Sequence, residues 1–459
     1  MRRRDVLWLL VGAGASASLL ASCLSAPSAQ LPTSISPPAA GPPPGAPSVA
    51  GPTSAPQATG VTAAAAPTRA PLPPTAVSTP TVALPPSPTP MPTPVPTRAT
   101  PPALAAAVTA AMEGAMQHGA TPGGVILVRH QGAQILLASY GLSRAFDSLT
   151  KRSTDPIAAY TDTLYDVASL TKLFTTTCVM RLVERGQLSL DEPVATWLPA
   201  FAAGGKETVT LRDLLTHTSG LPDLLQLWKL ADTPADRMAL VLAAPLVQPR
   251  GTSYRYSDLG PIAIGHLLEQ ITGMTLDVLV RDLVTGPLGL SQTAFRPATE
   301  LRPRIAPTED EEGVGRGMVW GEVHDENSWS LGGVAGHAGV FSTAADLGRF
   351  GQLYLDGGML DGVRLLRPET VSEMTRNQIR GLGWRGIGWE LNASFYMGRL
   401  AAPTTFGHTG FTGTSLVIDP SRQLVVVLLT NRVHPSRDGP SINATRQATA
   451  DAARAAADG

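Results

Sequence analysis

The chain has 459 residues, with 35 basic and 36 acidic side chains and a formal net charge of −1. That balance gives no electrostatic reason to expect a nucleic-acid partner or an acidic surface as target. Its two cysteines, Cys23 and Cys178, are too few for a thiolate metal cluster, and Cys178, in an apolar helical stretch, reads as a small core residue.

Residues 1–23 open with Met1-Arg2-Arg3-Arg4-Asp5, continue as an apolar run from Val6 to about Leu20, and end in Ala21-Ser22-Cys23. A basic start, a hydrophobic stretch and a small-residue exit read as a signal peptide, so export is expected. The run is short and broken by glycine, which disfavours a permanent spanning helix. Leu20-Ala21-Ser22-Cys23 resembles a bacterial lipobox, in which cleavage before the cysteine leaves Cys23 to be lipidated; a plain secretory signal with an incidental cysteine is the alternative. Arg3-Arg4 ahead of Val6-Leu7 also resembles a twin-arginine signal, so Sec and twin-arginine export both stay open. The expected location is the cell envelope of a bacterium, on the outer face of the cytoplasmic membrane, with the lipid on Cys23 as the membrane contact.

Residues 24–102 hold 24 of the 42 prolines, set among Ser, Thr, Ala and Gly. Such a segment cannot bury enough apolar surface to offset its ordering entropy, and it reads as a disordered spacer. The remainder, 103–459, is long enough for one large domain or two lobes sharing a cleft. Its patterning predicts an Ala-rich helix from Leu104 to Gln117 and a hairpin, Gly124–His130 with Ala133–Tyr140, turning at Gln131-Gly132. Helices are predicted around 169–184, 211–215, 235–243, 258–271, 276–283 and 344–355. Strands return at Ser415–Ile418 and Leu424–Leu429, and a last helix spans Ala444 to Ala456. Strands at both ends with helices between them predict an α/β (α+β) domain, in which one antiparallel sheet is built from both ends and carries an inserted helical lobe. The cleft between the two is the expected place for a site.

Three short stretches carry chemistry. Ser169-Leu170-Thr171-Lys172 puts a hydroxyl and an amine three residues apart on one helical face, where Ser169 can act as a nucleophile and Lys172 as its base. Tyr254-Arg255-Tyr256-Ser257-Asp258 precedes a helix, and Gly407-His408-Thr409-Gly410-Phe411 enters a strand. Serine acylation needs a nucleophile, a group that moves its proton to the leaving group, and donors for the oxyanion. Ser169, the pair Lys172 and Tyr256, and backbone N–H groups at Ser169 and near Phe411 fill these roles. Asp258 either accepts a hydrogen bond in the site or caps the following helix. His217, beside Thr218-Ser219-Gly220, reads as a hydrogen-bonding turn residue and Arg255 as solvated. Trp384 to Trp389 reads as packing a strand pair. His324, Asp325, Glu326 and His337 lack the helical His-Glu-x-x-His arrangement, so no metal is expected, and this loop is expected at the cleft rim.

With these motifs in this order, the chain is similar to the serine β-lactamase and penicillin-recognising superfamily, in its class C β-lactamase, DD-peptidase and β-lactamase-like esterase branch. Leu214-Leu215-Thr216-His217-Thr218-Ser219-Gly220-Leu221-Pro222, Pro287-Leu288-Gly289-Leu290 and Gly336-His337-Ala338-Gly339-Val340-Phe341-Ser342-Thr343 extend the resemblance over nearly all of 103–459. It implies a β-lactamase/transpeptidase-like fold and a Ser169 acyl-enzyme formed with Lys172 and Tyr256. It also implies substrate binding and oxyanion stabilisation by Asp258, His408, Thr409, Gly410 and Phe411, with no metal or organic cofactor. Two departures matter: His408 stands where the family often has Lys, and Asp258 where it commonly has Asn. Both weaken the expectation of efficient hydrolysis of penicillin-like anions and leave esterase, amidase or D-peptidase activity on small-molecule or cell-wall peptide substrates. The alternative is a catalytically silent module that binds or senses cell-wall peptide. Oligomeric state is not legible.

Overall fold

A computed structural model describes residues 95–459. The expected signal peptide, Cys23 and the spacer as far as residue 94 lie outside the described residues. The spacer is expected to run to residue 102, but its last part pairs with the folded region. Arg98 N donates to Gln134 O (3.0 Å) and Gln134 N to Pro96 O (2.8 Å), so folded structure begins ahead of residue 103.

The core of the fold is a seven-stranded sheet. Its strands are β1 (Gly123–His130), β2 (Ala133–Ser148), β3 (Lys151–Ala158), β4 (Glu390–Leu391), β5 (Phe406–Thr409), β6 (Ser415–Asp419) and β7 (Leu424–Thr430), in the order β3-β2-β1-β7-β6-β5-β4. Every neighbouring pair is antiparallel, and the two ends of the domain join where β1 pairs with β7. β3 is not foreseen from sequence, because it is a largely exposed edge strand that contains Pro156 and shows no alternation.

Five helices position the site: α1 (Pro102–Gln117), α2 (Thr171–Glu184), α3 (Leu259–Thr272), α4 (Ala344–Leu355) and α5 (Asn443–Asp458). Successive strand residues point to opposite faces, and here both faces are covered. Ile126, Val128, Val426 and Leu428 pack with Leu104, Val108 and Met112 of α1 and Ala450 and Ala453 of α5. Val125, Leu127, Val425 and Val427 face the other way, into a larger core with Leu347 and Phe350 of α4. That double burial explains the unbroken apolar run of β7. α4 lies close on the sheet through Gly348 and Gly351, where an added Cβ would come within 2.7 Å of a Leu127 methyl and 2.6 Å of a Val425 methyl.

Between β3 and β4 the chain makes the helical lobe, including α3. α2 is buried along nearly its whole length, and Phe174 stacks on Phe350 of α4 at 4.4 Å. Two of its threonines satisfy their hydroxyls by bonding back along the helix, Thr177 Oγ1 to Leu173 O at 2.6 Å and Thr175 Oγ1 to Thr171 O at 3.4 Å. Cys178 is fully buried there as a core residue, and burial pushes its thiol up to about 12. Among the described residues no helix is long and apolar enough to cross a membrane.

Candidate active site

Ser169 sits in a single 3-10 turn, Ala168–Leu170, immediately ahead of α2. The backbone before it is left-handed at Ala168 (φ 48°), an unfavourable conformation for a residue with a Cβ. It is held by Asp166, a buried carboxylate whose Oδ1 accepts Ala168 N–H (2.8 Å) and whose Oδ2 accepts His324 N–H (2.7 Å). Lys172 follows on α2 and is 3% exposed. Its Nζ donates to Ser169 Oγ (2.9 Å) and to His337 O (3.3 Å). Asp258 Oδ1 lies 2.8 Å away, a contact made as an ion pair rather than as an aligned hydrogen bond. The ammonium thus has two hydrogen-bond acceptors and a carboxylate counter-ion.

Burial alone would push the Lys172 ammonium down, but the Asp258 carboxylate and then Tyr256 outweigh it and hold it above its ordinary value. Burial likewise holds the Tyr256 phenol up, with Asp258 adding to the effect and Lys172 opposing it. At rest, Lys172 is therefore a charged donor to Ser169 Oγ. It becomes the base expected from sequence only once the Lys172–Tyr256 pair has given up one proton.

The third motif arrives on β5, whose end, His408-Thr409, leads into a turn closed by Gly410 N donating to Thr414 O (2.8 Å). Gly410 has to be glycine: an added Cβ would lie 2.5 Å from Val167 O, on the nucleophile's own turn. Phe411 follows on the wall of the cleft that Ser169 also lines. His408 is 1% exposed. Because arginine can only donate, His408 Nε2 accepts from Arg385 Nη2 (3.1 Å), and Nδ1–H donates to Thr409 O (2.8 Å). Burial, then Arg385 and Lys172, hold this imidazole far below its ordinary value, so it is neutral. Arg385 is itself buried, paired with Glu390 (Nη1 to Oε1, 3.2 Å) and 5.5 Å from the Tyr256 ring centroid.

Ser169, Tyr256, His408, Thr409, Gly410 and Phe411 all line one cleft of about 490 Å³, and Lys172 and Asp258 sit directly behind it. Thus the structure brings every expected catalytic and substrate-binding residue together. Two arginines on the same wall were not foreseen. Arg446 Nη2 donates to Gly410 O and Thr414 O (2.8 Å each), and Arg432 Nε donates to Phe411 O (3.1 Å). Their hydrogen-bond partners among the described residues are carbonyl and amide oxygens rather than carboxylates, so both guanidiniums bring positive charge to a cleft that Glu390 also lines.

Other expectations resolve individually. Asp258 does not cap α3; the Ser257 hydroxyl accepts Leu259 N–H instead (3.2 Å), leaving the carboxylate for Lys172. Arg255 is ion-paired with Asp223 at 2.6 Å rather than merely solvated. Trp389 is fully buried, whereas Trp384 is 46% exposed. The 324–327 loop and His337 do not frame the rim. They stand behind the site, through His324 N on Asp166 and His337 O on Lys172, and the two imidazoles take different carboxylates, Glu309 and Asp325. Glu309, Glu311 and His324 bring ligand atoms within 4.8 Å of one another, but Arg437 and Arg316 already pair with those carboxylates, a donor set that repels a cation.

A family model described as Beta-lactamase matches residues 108–451. A candidate D-alanyl-D-alanine carboxypeptidase of Salmonella paratyphi B is 33% identical over 349 residues, spanning 69% of this chain and 80% of its own. Among solved structures, a penicillin-binding protein homologue from Caulobacter crescentus superimposes with a TM-score of 0.60 at 23% identity, covering 78% of this chain and 99% of that one. EstCE1, described as a hydrolase with promiscuous acyltransferase activity, gives a TM-score of 0.59 at 25% identity, covering 76% and 98%. The antiparallel sheet flanked by helices is the β-lactamase/transpeptidase fold, and the chain belongs to the beta-lactamase family.

Proposed function

We propose that the protein is an exported serine hydrolase that cleaves ester or amide bonds through an acyl-enzyme on Ser169. The observation that carries this reading is the 2.9 Å contact between Ser169 Oγ and Lys172 Nζ, behind a cleft that Tyr256 and the His408–Phe411 turn also line. Ser169 Oγ bonds to the carbonyl carbon while its proton passes to the Lys172–Tyr256 pair, previously short of one proton. The Ser169 and Phe411 N–H groups hold the oxyanion. Collapse breaks the bond to the leaving group, which takes the proton from the pair. Water then attacks the ester and regenerates the Ser169 hydroxyl.

The electrostatics of the cleft refine the substrate class. The neutral His408 removes one cation that the family often supplies, but Arg385 stands behind it and Arg432 and Arg446 flank the turn. A peptide ending in a carboxylate is therefore the best-matched substrate, consistent with the carboxypeptidase name carried by the Salmonella relative. Parallel turnover of a D-Ala-D-Ala peptide, a p-nitrophenyl ester and nitrocefin tests this. Peptide and ester turnover are expected to exceed that of nitrocefin, and the reverse order refutes the assignment. Ser169→Ala is expected to abolish turnover and fluorophosphonate labelling; labelling equal to wild type would leave the silent binding module as the better reading.

The envelope location rests on residues 1–23. Lipid on Cys23 anchors the protein, and the Pro-rich segment spaces it from the membrane. Cys23→Ser should release the mature protein from membranes, and full retention would sink the anchor.

A further inference from the structure

His217 takes no part in the chemistry above. It is 2% exposed and has a left-handed backbone (φ 57°), which in a non-glycine residue persists only where neighbouring contacts impose it. Those contacts come from the loop that carries Tyr256. Arg255 N donates to His217 O at 2.8 Å, and Ser257 N donates to His217 Nδ1 at 3.2 Å. Between them the Tyr256 ring lies on the imidazole, with centroids 4.5 Å apart and planes tilted by 33°. Three consecutive residues thus bear on one histidine, and the middle one is the tyrosine.

The acceptor role of Nδ1 requires a neutral ring with its proton on Nε2. Burial does most to keep it neutral, and Arg385 and Lys172 add to that. On its other sides Tyr256 has Lys172 Nζ 4.9 Å and the Arg385 guanidinium 5.5 Å from its centroid, the His408 ring at 6.1 Å, and the Asp258 carboxylate close enough to act on the phenol. Of all these neighbours, only His217 both lies close over the ring face and is bonded to the backbone on either side of Tyr256. Its imidazole takes the Ser257 N–H and its carbonyl the Arg255 N–H, so one residue holds the backbone on both sides of the tyrosine.

We propose that His217 is a positioning residue for Tyr256, holding the phenol oxygen where it can exchange a proton with Lys172 and Ser169. This rests on the reading of Tyr256 as a proton carrier in acylation. The test is a double-mutant cycle on the full-length chain, read as kcat and KM for a p-nitrophenyl ester. Tyr256→Phe is expected to lower kcat about 100-fold. His217→Ala is expected to lower it about 10-fold with KM within about twofold, and to add less than about twofold in the Tyr256→Phe background. His217→Asn, which keeps an acceptor and tolerates the left-handed backbone, should recover most of the loss. If His217→Ala does not fold, His217→Gly, which removes the ring and accepts the left-handed backbone, carries the cycle with its double with Tyr256→Phe. An equal loss in both backgrounds, or a loss carried by KM, overturns the proposal and leaves the acyl-enzyme reading intact. A Tyr256→Phe protein as active as wild type, with Ser169→Ala inactive, removes the proton-carrier role of Tyr256 and this proposal with it.

Discussion

The two walls that meet at Ser169 are built on opposite electrostatic plans. The wall from the helical lobe brings an anion, Asp258, against the nucleophile's lysine, with a phenol and a neutral imidazole behind it. The wall from the sheet brings a neutral histidine backed by one buried arginine and flanked by two more. The difference divides the labour. Proton inventory is set on the lobe side, where a carboxylate fixes how readily Lys172 gives up its charge. On the sheet side Arg432 and Arg446 are held by carbonyls and Arg385 by the Glu390 carboxylate, and the proposed recognition of a substrate anion falls to this side. The two positions at which this chain departs from the family pattern, 258 and 408, fall one on each wall.

Moving charge between the walls should break this division most severely. His408→Lys, which restores the common family residue, would bury an ammonium against Arg385. It is expected to cost about 3 kcal/mol or more in a urea titration, with no gain in nitrocefin turnover. Unchanged stability with faster nitrocefin hydrolysis would mean that Arg385 does not already occupy that role. Next in size is Arg446→Ala, which removes a cation and the clamp on Gly410 O and Thr414 O. kcat/KM for a D-Ala-D-Ala peptide should fall about 100-fold and that for a neutral ester about 10-fold. Equal losses on both would make Arg446 a purely structural clamp.

The smallest effect is expected on the lobe wall. Asp258 holds Lys172 above its ordinary value, so Asp258→Asn lowers the pH at which the Lys172–Tyr256 pair loses its proton. The rising limb of the pH–rate profile should move to lower pH, and turnover near neutrality should rise several-fold. A shift to higher pH would contradict the ion pair as the controlling interaction.

Much of this was legible before any coordinates. The Ser169 and Lys172 spacing, the hairpin at Gln131-Gly132 and the apolar run of β7 are local patterns, and local patterns survive into the fold. Gly410 was visible only as part of a motif; its reason, the approach of Val167 O, is a tertiary contact. The roles of Asp166 and Arg385 are not legible in the sequence, because a lone charge gives no sign of burial until its distant partners, His324 N for Asp166 and His408 for Arg385, are brought to it. Arg446 left a fainter trace. It shares a helical face with Thr449, Ala450 and Ala453, a buried-side position at which a cation requires a partner. β3 could not be read at all, since an exposed edge strand carries no hydrophobic period.

The turn ahead of Ser169 is gripped from the far end of the domain: Thr412 Oγ1 donates to Asp166 O (2.8 Å) and Thr414 Oγ1 to Val167 O (3.1 Å), across 246 and 247 residues of chain. Closing loops of that length is slow, and it comes late in folding. The nucleophile's geometry is consequently a product of completed folding rather than of its own helix. Until the C-terminal strands are in place, a partly folded chain carries Ser169 without these two contacts on its turn.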